Sequence, residues 1–106
     1  MVVVSSEDGQ GATVERRPGS PAVIAVTGEI DVAITEWFGA ELARQSGSSD
    51  DELVLDLSGV TFIDSSGLSV LVATARTNGV RIATASDVVR RVIEIAGLGD
   101  MLHLAP

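Results

Sequence analysis

The chain has 106 residues, a length that suits one domain, and its core must be built from aliphatic side chains because only 3% of the residues are aromatic. Its 7 basic residues are all arginine and are outnumbered by 15 acidic ones, and the resulting net charge of −8 argues against nucleic acid and anionic membrane as partners. The lack of cysteine excludes disulfides and thiol redox chemistry, and a single histidine argues against a structural zinc site.

The N-terminal segment, residues 1–11, is expected to be loose, and the folded domain is expected over residues 12–106. After three valines the segment is polar and glycine-rich, and it lacks the positively charged start of a signal peptide. No apolar run approaches the roughly 18 residues that a membrane-spanning helix needs. The expected location is therefore the cytoplasm.

A β-hairpin is predicted next, with strands over residues 13–17 and 22–27. Pro18 and Gly19 lie between them and suit a type II turn, because proline fixes φ and glycine accepts a positive φ. We expect this hairpin to form an antiparallel edge of the sheet.

Helices and strands alternate in the rest of the chain. The predicted elements, in order, are a helix over 32–45 capped by Asp31, a strand over 53–57, a helix over 66–77, a strand over 80–84, a helix from Ser86 to Gly97 and a short strand over 101–104. Apolar residues recur at helical spacing in each helix, and the buried stripe of the third is predicted to comprise Val88, Val89, Val92, Ile93 and Ala96. The order β-β-α-β-α-β-α-β predicts a single α/β domain with a mixed, mostly parallel sheet.

A polar loop with the residues Asp64, Ser65, Ser66 and Gly67 directly precedes the second predicted helix. Ordinary helix capping explains an aspartate and a serine at this place. The loop also follows a predicted parallel strand, however, and α/β sheets place their functional sites at such strand ends. A serine at a helix N-terminus meets unpaired N–H groups and a positive dipole end, which favour a negative group such as a phosphate attached to it.

A second polar segment, Thr27 to Asp31, follows the second strand of the hairpin. A strand exit followed by an N-cap is the simpler interpretation. In the predicted topology, both strand ends open on the same edge of the sheet, so Asp31 is expected near Ser65.

An enzymatic role is not predicted. A serine hydrolase requires glycine two residues before and two after its nucleophile, and Ser65 has Ile63 and Gly67 at those positions. His103, the single histidine, is a poor candidate for the base. There is no G-x-G-x-x-G motif and no P-loop lysine, and no cofactor or metal is expected.

Three segments together resemble STAS domains: TGEID before the first helix, LVLDLSGVTFIDSSGLSVLV in the middle, and SDVVRRVIEIAGL in the third helix. Within that family, the chain is most similar to the bacterial anti-anti-sigma factors, which are also called anti-sigma factor antagonists. The resemblance covers residues 12–104. It departs from the pattern of many members in two places, because Asp87 stands where proline is common and the chain stops before a further C-terminal helix.

The resemblance implies partner switching in the control of transcription, as in stress responses. The domain would bind an anti-sigma factor, itself a serine kinase with a histidine-kinase-like ATPase fold, and thereby release a sigma factor. The kinase would then use Mg-ATP to phosphorylate Ser65 and end the binding, and a PP2C-type phosphatase would reverse the mark. The residues that the resemblance places toward the partner are Asp31, Thr61, Asp64, Ser66 and Gly67. An alternative is a STAS adaptor subunit that is not phosphorylated, for instance on a transporter ATPase.

Overall fold

The computed structural model describes residues 2–5, 11–19, 21–46 and 52–106. The elements are the strands β1 (Val2–Ser5), β2 (Ala12–Arg17), β3 (Val23–Ile30), β4 (Leu53–Ile63) and β5 (Val80–Ala85) and the helices α1 (Thr35–Ser46), α2 (Ser65–Asn78) and α3 (Asp87–Ile95). The strands form one sheet in the order β1-β2-β3-β4-β5, antiparallel from β1 to β3 and parallel from β3 to β5. The predicted fold class, a single α/β domain with a mixed sheet, an N-terminal hairpin and three helices, is confirmed.

The prediction of a loose segment over residues 1–11 is wrong for Val2–Ser5. These residues form β1, which pairs antiparallel with β2, so that Val3 lies opposite Glu15. Consecutive β-branched valines favour extended backbone, and the outer edge of β2 offers unpaired N–H and C=O groups to a further strand. The outermost strand on this side is therefore β1 rather than the hairpin. Residues 6–10 lie outside the described residues.

The short strand predicted over residues 101–104 is also wrong. This segment forms turns, and a single parallel bridge joins Leu104 to Ile82 of β5. The backbone of His103 has a φ of 48°, which interrupts an extended path. The observed order of elements is therefore β-β-β-α-β-α-β-α.

The first helix begins three residues later than predicted. The Asp31 carboxylate accepts the N–H of Ala33, two residues ahead, at 3.0 Å and so closes a turn before the helix. The regular helix starts at Thr35. Phe38 and Leu42, four residues apart on this helix, are fully buried.

Strand β4 continues six residues beyond the predicted end, to Ile63. Ser58 and Gly59 suggested a loop, but β3 pairs with β4 along this whole stretch, until Ile30 lies opposite Ile63. A Cβ at position 59 would lie 2.7 Å from the Thr27 Cγ2 atom, so glycine permits the two strands to approach closely here. Because β4 ends at Ile63, helix α2 begins only two residues after the end of this strand.

The core is one cluster of aliphatic side chains from the sheet, the helices and the C-terminal segment. Its largest fully buried members are Val14, Ile24, Val26, Ile30, Phe38, Leu42, Leu55, Leu57, Leu71, Ile82, Ile93 and Leu102. The predicted stripe of the third helix is only partly correct, because Val88 is 39% exposed and Ala96 is also exposed. Among the described helices, none is long and apolar enough to cross a membrane.

A polar network centred on Asp56 ties three strands together on the sheet. Its carboxylate accepts the guanidinium N–H of Arg17 at 2.8 Å, the hydroxyl of Thr84 at 2.7 Å and the hydroxyl of Ser58 at 2.6 Å. Partial burial alone would raise the pKa of Asp56. The hydrogen bonds from Ser58, Thr84 and Arg17 have the larger combined effect, and the net result is a pKa lowered to about 2.

We expect this network to make the domain sensitive to acid. Between about pH 4 and pH 2 the unfolded Asp56 carboxyl binds a proton and the folded one does not, so stability is lost as the pH falls through this range. The contribution is roughly 1–2 kcal/mol. Urea unfolding at pH 7, 4 and 2.5 should show a smaller acid loss in Asp56→Asn than in the wild type. Parallel pH profiles for the two proteins would contradict this assignment.

Candidate functional site at the ends of the parallel strands

The three parallel strands run toward one edge of the sheet, and we call the residues at and just after their ends the strand-end rim (residues 30–32, 62–65 and 85–88). Strand β5 ends earlier than its neighbours, because its last residue, Ala85, pairs with Leu57, six residues before the end of β4. The connections that follow the strands are fastened to one another. The N–H of Asp64 donates to the Ile30 carbonyl at 3.2 Å, and the Ser86 hydroxyl donates to the Val60 carbonyl at 2.6 Å. The start of α2 is therefore held to the end of β3, and the start of α3 is held to β4 three residues before the end of that strand.

Asp64 is the N-cap of α2. Its carboxylate accepts the N–H of Ser66 at 3.0 Å, the N–H of Gly67 at 3.2 Å and the hydroxyl of Ser66. The Ser66 hydroxyl is the main cause that lowers the pKa of Asp64, and the N–H groups of Gly67, Ser66 and Val32 add to it against the opposing effect of desolvation. Val32 belongs to the connection after β3, so this carboxylate also feels a backbone N–H of the neighbouring connection.

The two adjacent serines differ in what their hydroxyls do. Ser65, the first residue of α2, is exposed, and its hydroxyl forms no hydrogen bond within the described part of the chain. The Ser66 side chain is partly buried and donates to Asp64. The arrangement therefore presents one free hydroxyl at the positive end of the helix dipole.

Gly67 allows the first turn of α2 to rest on the strand ends. A Cβ at this position would lie 2.8 Å from the Ile30 Cγ2 atom, 2.8 Å from the Ile63 Cγ1 atom and 3.2 Å from the Ile30 carbonyl oxygen. Real Cβ atoms do not approach carbon atoms that closely, so any larger residue must displace the helix start or the strands.

The other two predicted contact residues lie beside this cap. Asp31 is partly buried, and the carbonyl of its neighbour Ile30 accepts the N–H of Asp64 at 3.2 Å, so the predicted closeness of this segment to the α2 start is present. Thr61 is exposed on β4, and its hydroxyl donates a long hydrogen bond of 3.4 Å to the Gly28 carbonyl on β3. Their role toward a partner remains a prediction.

Sequence reasoning did not identify the exposed apolar side chains of the strand-end rim. Val32 after β3 is 73% exposed, Phe62 near the end of β4 is 44% exposed, and Val88 after β5 is 39% exposed. Each of the three parallel strands thus presents one large apolar side chain at the rim. Of the three, only Val88 was predicted to be buried, because it follows the apolar spacing of the third helix.

The structure removes the base that a serine hydrolase would need. The Nδ1 atom of His103 lies 3.3 Å from Glu52, which directly precedes β4, whereas Ser65 follows the opposite end of that strand. At about 3.3 Å per residue, the 11 residues of β4 separate these ends by roughly 30 Å or more. Among the described residues, no three His, Asp or Glu side chains are grouped so that they could hold a metal ion.

Comparison with known proteins agrees with this architecture. The chain matches the protein family described as "Mlab, STAS domain" over residues 13–104. It is 31% identical over 87 residues to the anti-sigma-F factor antagonist RsfB of Mycobacterium tuberculosis, an alignment that covers 78% of this chain and 71% of that protein. It is 32% identical over 88 residues to the anti-sigma-B factor antagonist of Staphylococcus aureus, covering 76% of this chain and 80% of that protein.

Solved structures give the same result. An anti-sigma factor antagonist from Mycobacterium paratuberculosis has a TM-score of 0.79 and 28% identity, with 97% of this chain and 91% of that chain covered. The anti-sigma factor antagonist SpoIIAA in its unphosphorylated form has a TM-score of 0.65 and 23% identity, with 88% of each chain covered, and this likeness concerns the fold. Since the family match spans nearly the whole sequence, the chain belongs to the STAS domain family.

Proposed function

We propose that this chain is an anti-sigma factor antagonist, a regulatory binding protein that captures an anti-sigma factor at the strand-end rim and is released when Ser65 is phosphorylated. The observation that carries the proposal is the exposed, unengaged hydroxyl of Ser65 at the start of α2, beside an Asp64 cap that engages Ser66 instead. The names of the related proteins support the same function.

The rim has the character of a protein-binding surface. Val32, Phe62 and Val88 supply apolar side chains that a monomeric domain gains nothing by exposing together. Asp64 and Asp31 add negative charge among them. The partner surface that fits the rim offers apolar pockets with a basic surround.

Phosphorylation of Ser65 acts in this proposal through local electrostatics. A phosphoserine carries about −1.5 to −2 charges, and the N-terminus of α2 stabilises them while the domain is free. At an interface the phosphate must lose its water beside Asp64, opposite a kinase site that already holds nucleotide phosphates. A loss of about 3 kcal/mol weakens binding more than a hundredfold, so the fold itself need not change.

The partners in this proposal follow from the switch. The anti-sigma factor is a serine kinase with a histidine-kinase-like ATPase fold that uses Mg-ATP, and a PP2C-type phosphatase returns Ser65 to its free state. The cycle takes place in the cytoplasm.

The direct test is to map the site of phosphorylation. The purified chain is incubated with ATP and each candidate anti-sigma kinase of its own genome, and modified peptides are identified by mass spectrometry. We expect one phosphate on Ser65, none on Ser65→Ala, and unchanged modification of Ser69→Ala, which removes an exposed hydroxyl one turn along α2. Phosphate at another residue would refute the assignment of Ser65. No phosphate and no binding with any kinase, together with full activity of Ser65→Ala in cells, would favour the adaptor subunit instead.

A further inference from the structure

Helix α3 carries an exposed apolar surface that the rim does not account for. Ile95, at its last turn, is 80% exposed, and Val88, at its first turn, is 39% exposed. At 100° per residue, Val88, Arg91 and Ile95 lie within about 60° of one another around the helix, and Ile95 lies about 10 Å along the helix axis from Val88. We call these three residues the α3 outer face.

Arg91 lies on α3 one helical turn from Asp87 and one turn from Glu94, but it forms an ion pair with neither carboxylate. Five other arginines donate to a carboxylate or a backbone carbonyl: Arg16, Arg17, Arg44, Arg81 and Arg90. Within the described part of the chain, Arg91 and Arg76 form no such contact. A planar guanidinium between two exposed apolar side chains suits a carboxylate that is itself set among apolar residues.

The α3 outer face is held rigidly and is continuous with the rim. On the inner side of the helix, Val89 and Ile93 are fully buried. At its start, the Ser86 hydroxyl caps the helix by accepting the Val89 N–H and donates to the Val60 carbonyl of β4. Since Ser86 lies against Val60, three residues before the end of β4, a partner bound at the end of β4 would also lie close to the start of α3.

We infer that the α3 outer face is a second contact surface for the anti-sigma factor, which binds there with an apolar segment containing a carboxylate. The inference rests on the proposed function and adds to it a contact that does not depend on the phosphate. A second copy of this chain fits less well, because two chains of net charge −8 repel each other and Asp87 and Glu94 lie within one turn of Arg91. The surface would contribute to affinity and to the choice among related anti-sigma factors.

The test measures binding of the purified chain to the anti-sigma kinase that phosphorylates it, by isothermal titration calorimetry. Arg91→Glu and Ile95→Asp are each expected to weaken binding about tenfold or more. Arg76→Glu reverses the charge of the other unpaired arginine, at the far end of α2. Its affinity for the kinase is expected to stay within about twofold of that of the wild type. Thermal melts confirm that each variant is folded. Combined with Ser65→Asp, the α3 changes should multiply its effect, because the two sites act separately.

The outcomes separate this inference from the proposed function. If Ser65→Asp weakens binding and the α3 variants bind like the wild type, the inference is overturned and the switch stands. If the α3 variants weaken binding and Ser65→Asp does not, the inference stands and the switch fails. If the kinase binds no form of the chain, both fail. If sedimentation shows a wild-type dimer that Ile95→Asp dissociates, the surface serves self-association and the inference is overturned.

Discussion

Phosphorylated Ser65 is expected to weaken binding of the anti-sigma factor more than a hundredfold, and Ser65→Asp is expected to weaken it by about ten- to a hundredfold. The aspartate carries one charge where the phosphate carries nearly two, and both must be desolvated beside Asp64. Ser65→Ala should bind within about threefold of the wild type, because the free hydroxyl makes no contact within the described part of the chain.

The control for this experiment adds the same charge elsewhere. Thr77→Asp lies on the exposed end of α2, about 18 Å along the helix from Ser65. It should leave binding within about twofold, as measured by the same titration. If Ser65→Asp and Ser65→Ala bind equally well, local charge is not the basis of the switch.

Gly67→Ala is expected to destabilise the domain by about 1–3 kcal/mol, although alanine is the better helix former. The added methyl group would lie 2.8 Å from side-chain atoms of Ile30 and Ile63, both of which belong to the buried core. In a domain of this size, such a loss lowers the melting temperature by about 5–15 °C. Calorimetry or a thermal melt followed by circular dichroism measures it.

Gly39→Ala provides the matched control within the same protein. Gly39 lies inside α1, and a Cβ there would meet the Val70 Cγ1 atom at 3.7 Å, an ordinary van der Waals distance. This variant should gain up to about 1 kcal/mol from helix propensity. If both glycines respond alike, the close approach of α2 to the strand ends does not govern stability.

Local patterns were sufficient to predict much of the fold and the place of the candidate site. The start of α2 at the DSSG loop, the cap of α3 at Ser86 and the hairpin around Pro18-Gly19 depend on neighbouring residues, and each is found within a residue or two of its predicted place. The family resemblance rested on the same local segments. Ser65 could therefore be singled out before any tertiary contact was known.

The errors share a different cause, because they depend on residues distant in sequence. Val2–Ser5 becomes a strand only because β2 leaves an edge open, and β4 runs to Ile63 only because β3 pairs with it that far. Helical periodicity placed Val88 in the core, yet it lies in the first turn of α3, beyond the end of β5. The hydrogen bond from the Asp64 N–H to the Ile30 carbonyl likewise joins two segments that no local pattern relates.

The bond between Ser66 and Asp64 bears on the fidelity of the modification. Ser65 and Ser66 are adjacent in sequence. A kinase that binds this loop would therefore bring its nucleotide close to both hydroxyls. To accept a phosphate, Ser66 would have to surrender its bond to Asp64, and the new negative group would then face the carboxylate that caps the helix. In the proposed cycle, phosphorylation of Ser66 would therefore break a contact of the α2 cap, whereas the Ser65 hydroxyl makes no such contact within the described residues.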